Sequence, residues 1–318
     1  MACNISVVLP TGAKMPALGY GTWQSRDNSL ETALHEALQA GYRHIDTAAI
    51  YQNEEVVGKV LKEWLDSGRL RREDLFITTK LSPFAMYPDK VEESLKESLE
   101  KLQLSYVDLY LIHFPITIVT DEAGEHYGHS DMDYVDIWKK MEDQYYSGKA
   151  KAIGISNFSV KKINRLLKNC RVKPANNQIE VHVYMQQPEL IDLCTKNGIT
   201  VVAYSPLGSR GYNTFLEGSG HQPKKVRDIL TDEVMLEIAK KHSKTPAQIA
   251  LRFLVQLGLA PIPKSTTPSR VKENIDIFNF SLDEKDMNKI RALNVGPQCR
   301  VCEFEVFTKL SEHPEFEF

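Results

Sequence analysis

Two rhythms of hydrophobic and polar positions alternate along this chain. Short β-rich runs are separated by longer stretches in which apolar residues return every three or four positions. Val56, Val57, Val60, Leu61, Trp64 and Leu65 form one helical stripe, and Val91, Leu95, Leu99 and Leu102 form another. Helices also fit 28–40, 133–148, 159–170, 187–197, 231–257 with a break before Pro246, and 268–278. Ser281-Leu282-Asp283-Glu284 reads as a capping box opening one more.

The strand signal begins with a hairpin, Ile5 to Leu9 and Lys14 to Ala17, turning at Pro10-Thr11-Gly12. Eight further candidates follow, at 17–19, 44–46, 75–80, 107–113, 152–156, 177–180, 200–204 and 260–263. Their apolar content barely alternates, as in Leu109-Tyr110-Leu111-Ile112, which fits strands buried on both faces. Repeated strand–helix alternation predicts an α/β fold with one closed (β/α)8 barrel of the TIM type. A doubly wound sheet is the alternative, but no G-x-G-x-x-G follows a strand. One domain is expected over 1–318, with an N-terminal hairpin at 1–16, long βα loops at the active face and a substrate-loop tail at 296–318.

Composition narrows the function. With 42% hydrophobic residues in 318, the chain can bury a core without disulfides or a structural metal. A net charge of -3, with Lys and Arg spread throughout, implies no nucleic-acid partner. The N-terminus shows no secretory pattern and no apolar run is long enough for a bilayer, so no membrane partner and a cytoplasmic location are expected. Cys3, Cys170, Cys194, Cys299 and Cys302 suit reduced thiols. Cys299 and Cys302 form a C-x-x-C, but a zinc site would want two further ligands nearby. They read as loop thiols, and no metal is expected.

In a parallel barrel, chemistry sits where strands end and βα loops begin. The second candidate strand ends at Asp46, with Tyr51 five residues on; the third ends at Lys80 and the fourth at His113. Singly, each has a structural reading: a helix cap, a packed ring, a rim charge, a core histidine. Together they would meet at one mouth, where a buried Lys80 needs a carboxylate and Asp46 is the neighbour. A phenol titrates near ~10, and a close ammonium is expected to depress that by about two units, roughly 3 kcal/mol of differential interaction. A neutral His113 would orient a carbonyl oxygen or help relay the proton.

Gly41-Tyr42-Arg43-His44-Ile45-Asp46-Thr47-Ala48, followed by Tyr51, Asn53-Glu54 and Gly58, resembles the signature of the aldo-keto reductase superfamily. Similar blocks follow in order: Ile77-Thr78-Thr79-Lys80-Leu81, the run from Val107 to His113, Gly154-Ile155-Ser156-Asn157-Phe158, Asn177-Gln178-Ile179-Glu180, Tyr204-Ser205-Pro206-Leu207-Gly208 and Ile262-Pro263-Lys264-Ser265. The resemblance spans essentially the whole chain. It implies NADPH-dependent reduction of aldehydes and ketones, with Asp46, Tyr51, Lys80 and His113 as the catalytic tetrad and Tyr51 as general acid. Gly21, Thr22 and Asp46 would border the cofactor. Ser156, Asn157 and Gln178 would hold the nicotinamide carboxamide, and Tyr204 would stack on its ring. Ser205, Leu207 and Ser209 would line the pyrophosphate path. Lys264, Ser265, Thr266 and Arg270 would grip the adenosine 2′-phosphate, with Glu273 and Asn274 beside adenine. The local physics agrees, because Thr267 and Pro268 read as N-cap and first residue of a helix, whose free N–H groups favour an anion.

On the substrate side the resemblance places Trp23, Tyr51 and His113. Phe114 stands where aldose-reductase-like members usually have Trp, and looks more like the hydroxysteroid dehydrogenase branch. The loop from Ile116 to Asp133, the segment from Ser209 to Pro223 and the tail would form the rims. Val301 and Phe304, with Val306 and Phe307, either wall the pocket or pack against the barrel. Hydrophobic aliphatic or aromatic aldehydes and steroid-like ketones are the expected small-molecule partners of a monomeric enzyme. Two other readings remain open: a Schiff-base aldolase using Lys80, and a non-enzymatic NADPH-binding protein.

Overall fold

The computed structural model describes residues 5–129, 131–225, 227–304, 306–307 and 309–317. Cys3 and the first four residues of the 1–16 segment lie outside the described residues. The hairpin is β1 (Ser6–Val8) and β2 (Lys14–Pro16), paired antiparallel with Ser6 opposite Pro16. The barrel then runs β3 (Gly19–Gly21), α1 (Asp27–Ala40), β4 (His44–Asp46), α2 (Glu54–Asp66), β5 (Phe76–Leu81), α3 (Val91–Leu102) and β6 (Leu109–Ile112). A small antiparallel hairpin, β7 (Ile118–Thr120) and β8 (His126–Gly128), interrupts it before α4 (Tyr134–Tyr146). There follow β9 (Ile153–Ser156), α5 (Val160–Leu167), β10 (Asn176–Glu180), α6 (Pro188–Lys196), β11 (Thr200–Tyr204) and α7 (Tyr212–Gly218). The remaining elements are α8 (Glu233–His242), α9 (Pro246–Gln256), β12 (Ala260–Pro261), α10 (Pro268–Ile275) and α11 (Glu284–Arg291).

All eight barrel strands are parallel neighbours, in the order β3-β4-β5-β6-β9-β10-β11-β12. The seam is closed by the Gly21 N–H, which donates to the Pro263 carbonyl at 3.1 Å. That approach requires glycine, because a Cβ at residue 21 would lie 2.7 Å from the Ile262 carbonyl oxygen.

Alternate side chains of the strands divide the core. Tyr110 and Ile112 face the helices, whereas Leu109 and Leu111 join Phe76, Ala152, Ala175, Val202 and Ala260 inside the barrel. Leu9 and Met15 of the hairpin belong to this inner cluster and close its floor. The opposite mouth, at the strand C-termini, is left to polar groups.

Several boundaries differ from the sequence reading, for physical reasons. The first barrel strand is Gly19–Gly21 rather than 17–19, since Ala17 still bonds back to Ile5 of the hairpin. Pairing ends at Ile112, so His113 stands one residue beyond β6, and β12 ends at Pro261. The last helix is capped by Asp283, whose side chain accepts from the Asp286 N–H at 2.9 Å; Ser281 is not the cap. The two segments read as plain rims contain β7–β8 and α7. Both are short and polar in sequence, and their order comes from tertiary contacts.

Candidate active site

Strand register sets the site. Gly21 lies opposite Asp46, Asp46 opposite Thr78, and Lys80 opposite Leu111, so Asp46 and Lys80 rise from adjacent strands at one mouth. Lys80 has no exposed surface and Asp46 only 1%. The Lys80 ammonium donates to Asp46 Oδ1 at 2.5 Å and to the Thr47 carbonyl at 2.8 Å, and lies 3.5 Å from the Tyr51 hydroxyl. The other Asp46 oxygen accepts from Gln178 Nε2 at 2.7 Å. Neither buried charge is left alone, which is the condition for tolerating them.

Tyr51 sits on a 3-10 turn, Ala49–Tyr51, and is half-buried. Its ring meets that of His113 edge-to-face, centroids 5.5 Å apart. Nδ1 of His113 is buried without a hydrogen-bond partner among the described residues. Burial, then the Lys80 charge, hold this imidazole well below its usual range, so it is neutral. The phenol departs from expectation. Burial first, and the Asp46 carboxylate second, push Tyr51 well above its ordinary value instead of depressing it. Lys80 is itself pushed down by burial, against the pull of Asp46.

The tetrad is braced from behind. Asn53 donates to the carbonyls of Thr22 at 2.9 Å and Ser25 at 3.0 Å, and accepts from Thr47 at 2.8 Å. Thr22 in turn donates its hydroxyl and its N–H to the Asp46 carbonyl. Beneath Lys80, Thr79 and Ser98 donate to the buried Glu54 carboxylate. Asn53 and Glu54 belong to the recognised signature, yet the sequence alone gave no reason to assign them this bracing role.

Next to the tetrad, Ser156, Asn157 and Gln178 form a second buried network. Ser156 donates to the Gln178 carbonyl at 2.8 Å, and Asn157 Nδ2 donates to the His113 carbonyl at 2.9 Å. The Tyr204 hydroxyl donates to Asn157 Oδ1 at 2.8 Å, which fixes the plane of a partly exposed ring at the mouth. Gln178 Oε1 makes no hydrogen bond among the described residues and is left to accept from a ligand amide. Beyond Tyr204, Ser205, Gly208 and Ser209 all carry left-handed backbone, with φ of 50°, 73° and 44°. Two serines so strained in five residues are the kind of feature that accompanies a ligand-contacting loop.

Farther along the mouth, α10 begins at Pro268 with Thr267 at the N-cap position, and no side chain caps it. Ser265 accepts from the Thr267 N–H at 3.1 Å, and the Tyr20 hydroxyl donates to the Ser265 carbonyl at 2.7 Å. Lys264, Thr266 and Arg270 are exposed, and neither cation has a carboxylate partner among the described residues. A helix start without a side-chain cap, beside two cations with no carboxylate partner among the described residues, could hold an anion. Asn274 is buried nearby; Glu273, by contrast, accepts from Thr245 at 2.8 Å and is tied to α9.

Of the residues expected at the substrate, Val301 has no exposed surface and Phe114 only 2%; Val301 packs in one cluster with Tyr212, Trp23 and Tyr204. Val301 and Cys302 are pinned by their N–H groups to the buried Glu180 carboxylate, at 2.7 and 2.9 Å. Phe114 packs on Phe304, ring centroids 4.5 Å apart. Trp23 and Phe304 keep exposed surface, and Trp23 packs on Phe215 and Tyr212 of α7. The contribution of α7 was missed, because Tyr212, Phe215 and Leu216 make less than two turns of apolar period in a segment otherwise polar and glycine-rich.

The model described as the Aldo/keto reductase family matches residues 17–295. The chain belongs to the aldo/keto reductase family. Among curated relatives of this aldo/keto reductase, "Aldo-keto reductase family 1 member A1-A" of Danio rerio is 43% identical over 91% of the chain and 89% of the relative. "Aldose reductase" of Encephalitozoon cuniculi is likewise 43% identical, over 91% and 93%. Of solved structures, a Bombyx mori aldo-keto reductase in complex with NADP superposes with a TM-score of 0.87 at 37% identity, covering 99% of this chain and all of that one. The family match spans all eight barrel strands and the positions of Asp46, Tyr51, Lys80 and His113. No described helix of this aldo/keto reductase is long and apolar enough to cross a membrane.

Proposed function

We propose that this protein reduces hydrophobic aldehydes and ketones to alcohols with NADPH, Tyr51 donating the proton. The observation that carries this is the Lys80 ammonium held between Asp46 and the Tyr51 hydroxyl at the barrel mouth. NADPH supplies the hydride. Ser156, Asn157 and Gln178 are suited to the carboxamide, Tyr204 to the ring, and Ser205, Leu207 and Ser209 to the pyrophosphate. Lys264, Ser265, Thr266 and Arg270 suit a 2′-phosphate.

As hydride reaches the carbonyl carbon, the oxygen takes the phenolic proton from Tyr51, and the electron pair left on the phenolate faces Lys80. Burial keeps the phenol protonated beforehand, which is the form a reduction consumes. Near 4 Å and an effective dielectric constant of about 20, an ammonium stabilises a phenolate by about 4 kcal/mol. That attraction works against the burial that raises the phenol, and grows in effect as the proton leaves. Neutral His113, next to Tyr51, can donate to the carbonyl oxygen. The aromatic wall of Trp23, Phe304 and α7 supports apolar substrates.

The donors of Lys80 are engaged and its side chain is inaccessible, which argues against a Schiff-base role. The test is NADPH oxidation with a panel of aldehydes and ketones. Turnover of aromatic and medium-chain compounds at higher kcat/KM than sugars is expected; absence of turnover on any carbonyl would overturn the reading.

A further inference from the structure

The tail crosses the mouth as a strap, and four lysines staple it, the exposed Lys161 among them through Glu317 at 3.4 Å. Lys224, in the segment after α7, donates to Glu303 at 2.5 Å. Lys309 of the tail pairs with Glu125 and Asp121 of the β7–β8 hairpin. Lys162, near the start of α5, pairs with Glu315 at 2.8 Å and Glu317 at 3.4 Å. The Ser159 hydroxyl, which caps α5, also donates to Glu317.

These staples are not equivalent. Lys224 and Lys309 are 21% and 43% exposed, and Lys309 and its acidic partners stand largely in solvent, where such pairs contribute little. Lys162 is 1% exposed, and its described carboxylate partners both come from the tail, about 150 positions away. A lysine so buried must keep its counter-charges, so the tail end is held where the lysine needs it. Between those two glutamates stands Phe316, which with Phe304 packs against the buried cluster of Phe114, Ile116, Ile118 and Leu310. Phe114 is the residue after His113. Lys162 and Glu317 also border a cleft of about 570 Å³ that reaches Asn157, Glu180 and Arg300.

We propose that Lys162 is a positioning residue for the substrate pocket: it anchors the tail at Glu315 and Glu317 and thereby sets the Phe114–Phe304–Phe316 wall. The inference rests on the reductase reading, since it assigns that site's specificity to a group that touches neither substrate nor cofactor. A substrate that leans on the wall loses affinity when the strap is released. One too short to reach it does not.

The test compares wild type, Lys162→Met and Lys162→Arg. Chymotrypsin cleavage at the tail phenylalanines, followed by mass spectrometry, is expected to speed up in Lys162→Met and to return towards wild type in Lys162→Arg. The KM for naphthaldehyde should rise about tenfold, the worth of part of one aromatic contact, with kcat and the KM for propanal little changed. Equal losses for both aldehydes, or a tail as protected as in wild type, would overturn the proposal. Should Lys162→Met fail to fold, the paired Glu315→Gln, Glu317→Gln variant must release the tail in the same assay, and its failure to do so also overturns it. Proteolysis reads the strap without turnover. An enzyme inert towards carbonyls but showing the cleavage contrast therefore separates failure of the reductase reading from failure of the anchor.

Discussion

At the tetrad, charged groups are buried and each is answered by a neighbour; at the start of α10, Lys264 and Arg270 stand in solvent with no carboxylate partner described. The first region is preorganised. Its hydrogen bonds exist without a ligand, so binding requires little rearrangement and the groups face the position where charge develops. The second is unsatisfied, and on the proposed reading its interaction is made only with an incoming dianion. That reading places chemistry and affinity at opposite ends of one mouth, and substitutions should separate them.

The largest effect is expected from Lys80→Met. It removes the cation that receives the phenolate, so kcat/KM should fall by about 10³ or more, while the NADPH dissociation constant changes little. Steady-state kinetics with a fluorescence titration measure both; a parallel loss of binding would mean that the two ends are not separate. Asp46→Asn should act on stability as well as rate. It leaves the Lys80 ammonium without its counter-charge at zero exposure, and a loss of about 3–5 kcal/mol is expected in urea unfolding. A near-neutral result would show that Lys80 is not charged in the folded protein.

Arg270→Met probes the other end. NADPH should bind about ten- to a hundredfold more weakly, as loss of a charge-assisted contact implies, with NADH unaffected and kcat retained. Equal weakening of both would place the 2′-phosphate elsewhere. The smallest effect concerns pH. His113 titrates far below its usual range and remains neutral as pH falls through about 6.5, while the raised Tyr51 keeps its proton as pH rises past neutrality. The kcat/KM for reduction should therefore be flat across neutral pH. An inflection near 6.5 that disappears in His113→Gln would contradict it.

The same contrast governs how much could be read from the sequence. Asp46, Lys80 and His113 were legible because an apolar strand that ends in an ionisable group implies a mouth, and three such strands in one eight-stranded barrel bring those ends together. Tyr51 was fixed by its distance from Asp46 and the resemblance around it. The sign of its pKa was not legible, because the spacing showed Lys80 nearby but not the burial that outweighs it. The start of α10 was legible from Thr267-Pro268. That Glu273 accepts from Thr245, the cap of α9, was not legible, because the two are far apart in the chain. The rims were least legible. α7 takes its place from Trp23, and β8 meets the tail through a bridge between Tyr127 and Lys309, contacts between segments far apart in the chain. For Val301 the choice between wall and packing was decided by the Glu180 carboxylate, which draws the tail backbone onto the barrel.

The most direct test of the central claim is a single-turnover experiment with Tyr51→Phe, mixing the variant–NADPH complex with an aromatic aldehyde. The account predicts NADPH bound as in wild type and hydride transfer slowed by about 10² to 10⁴. Hydride transfer at the wild-type rate would show that the proton comes from another group.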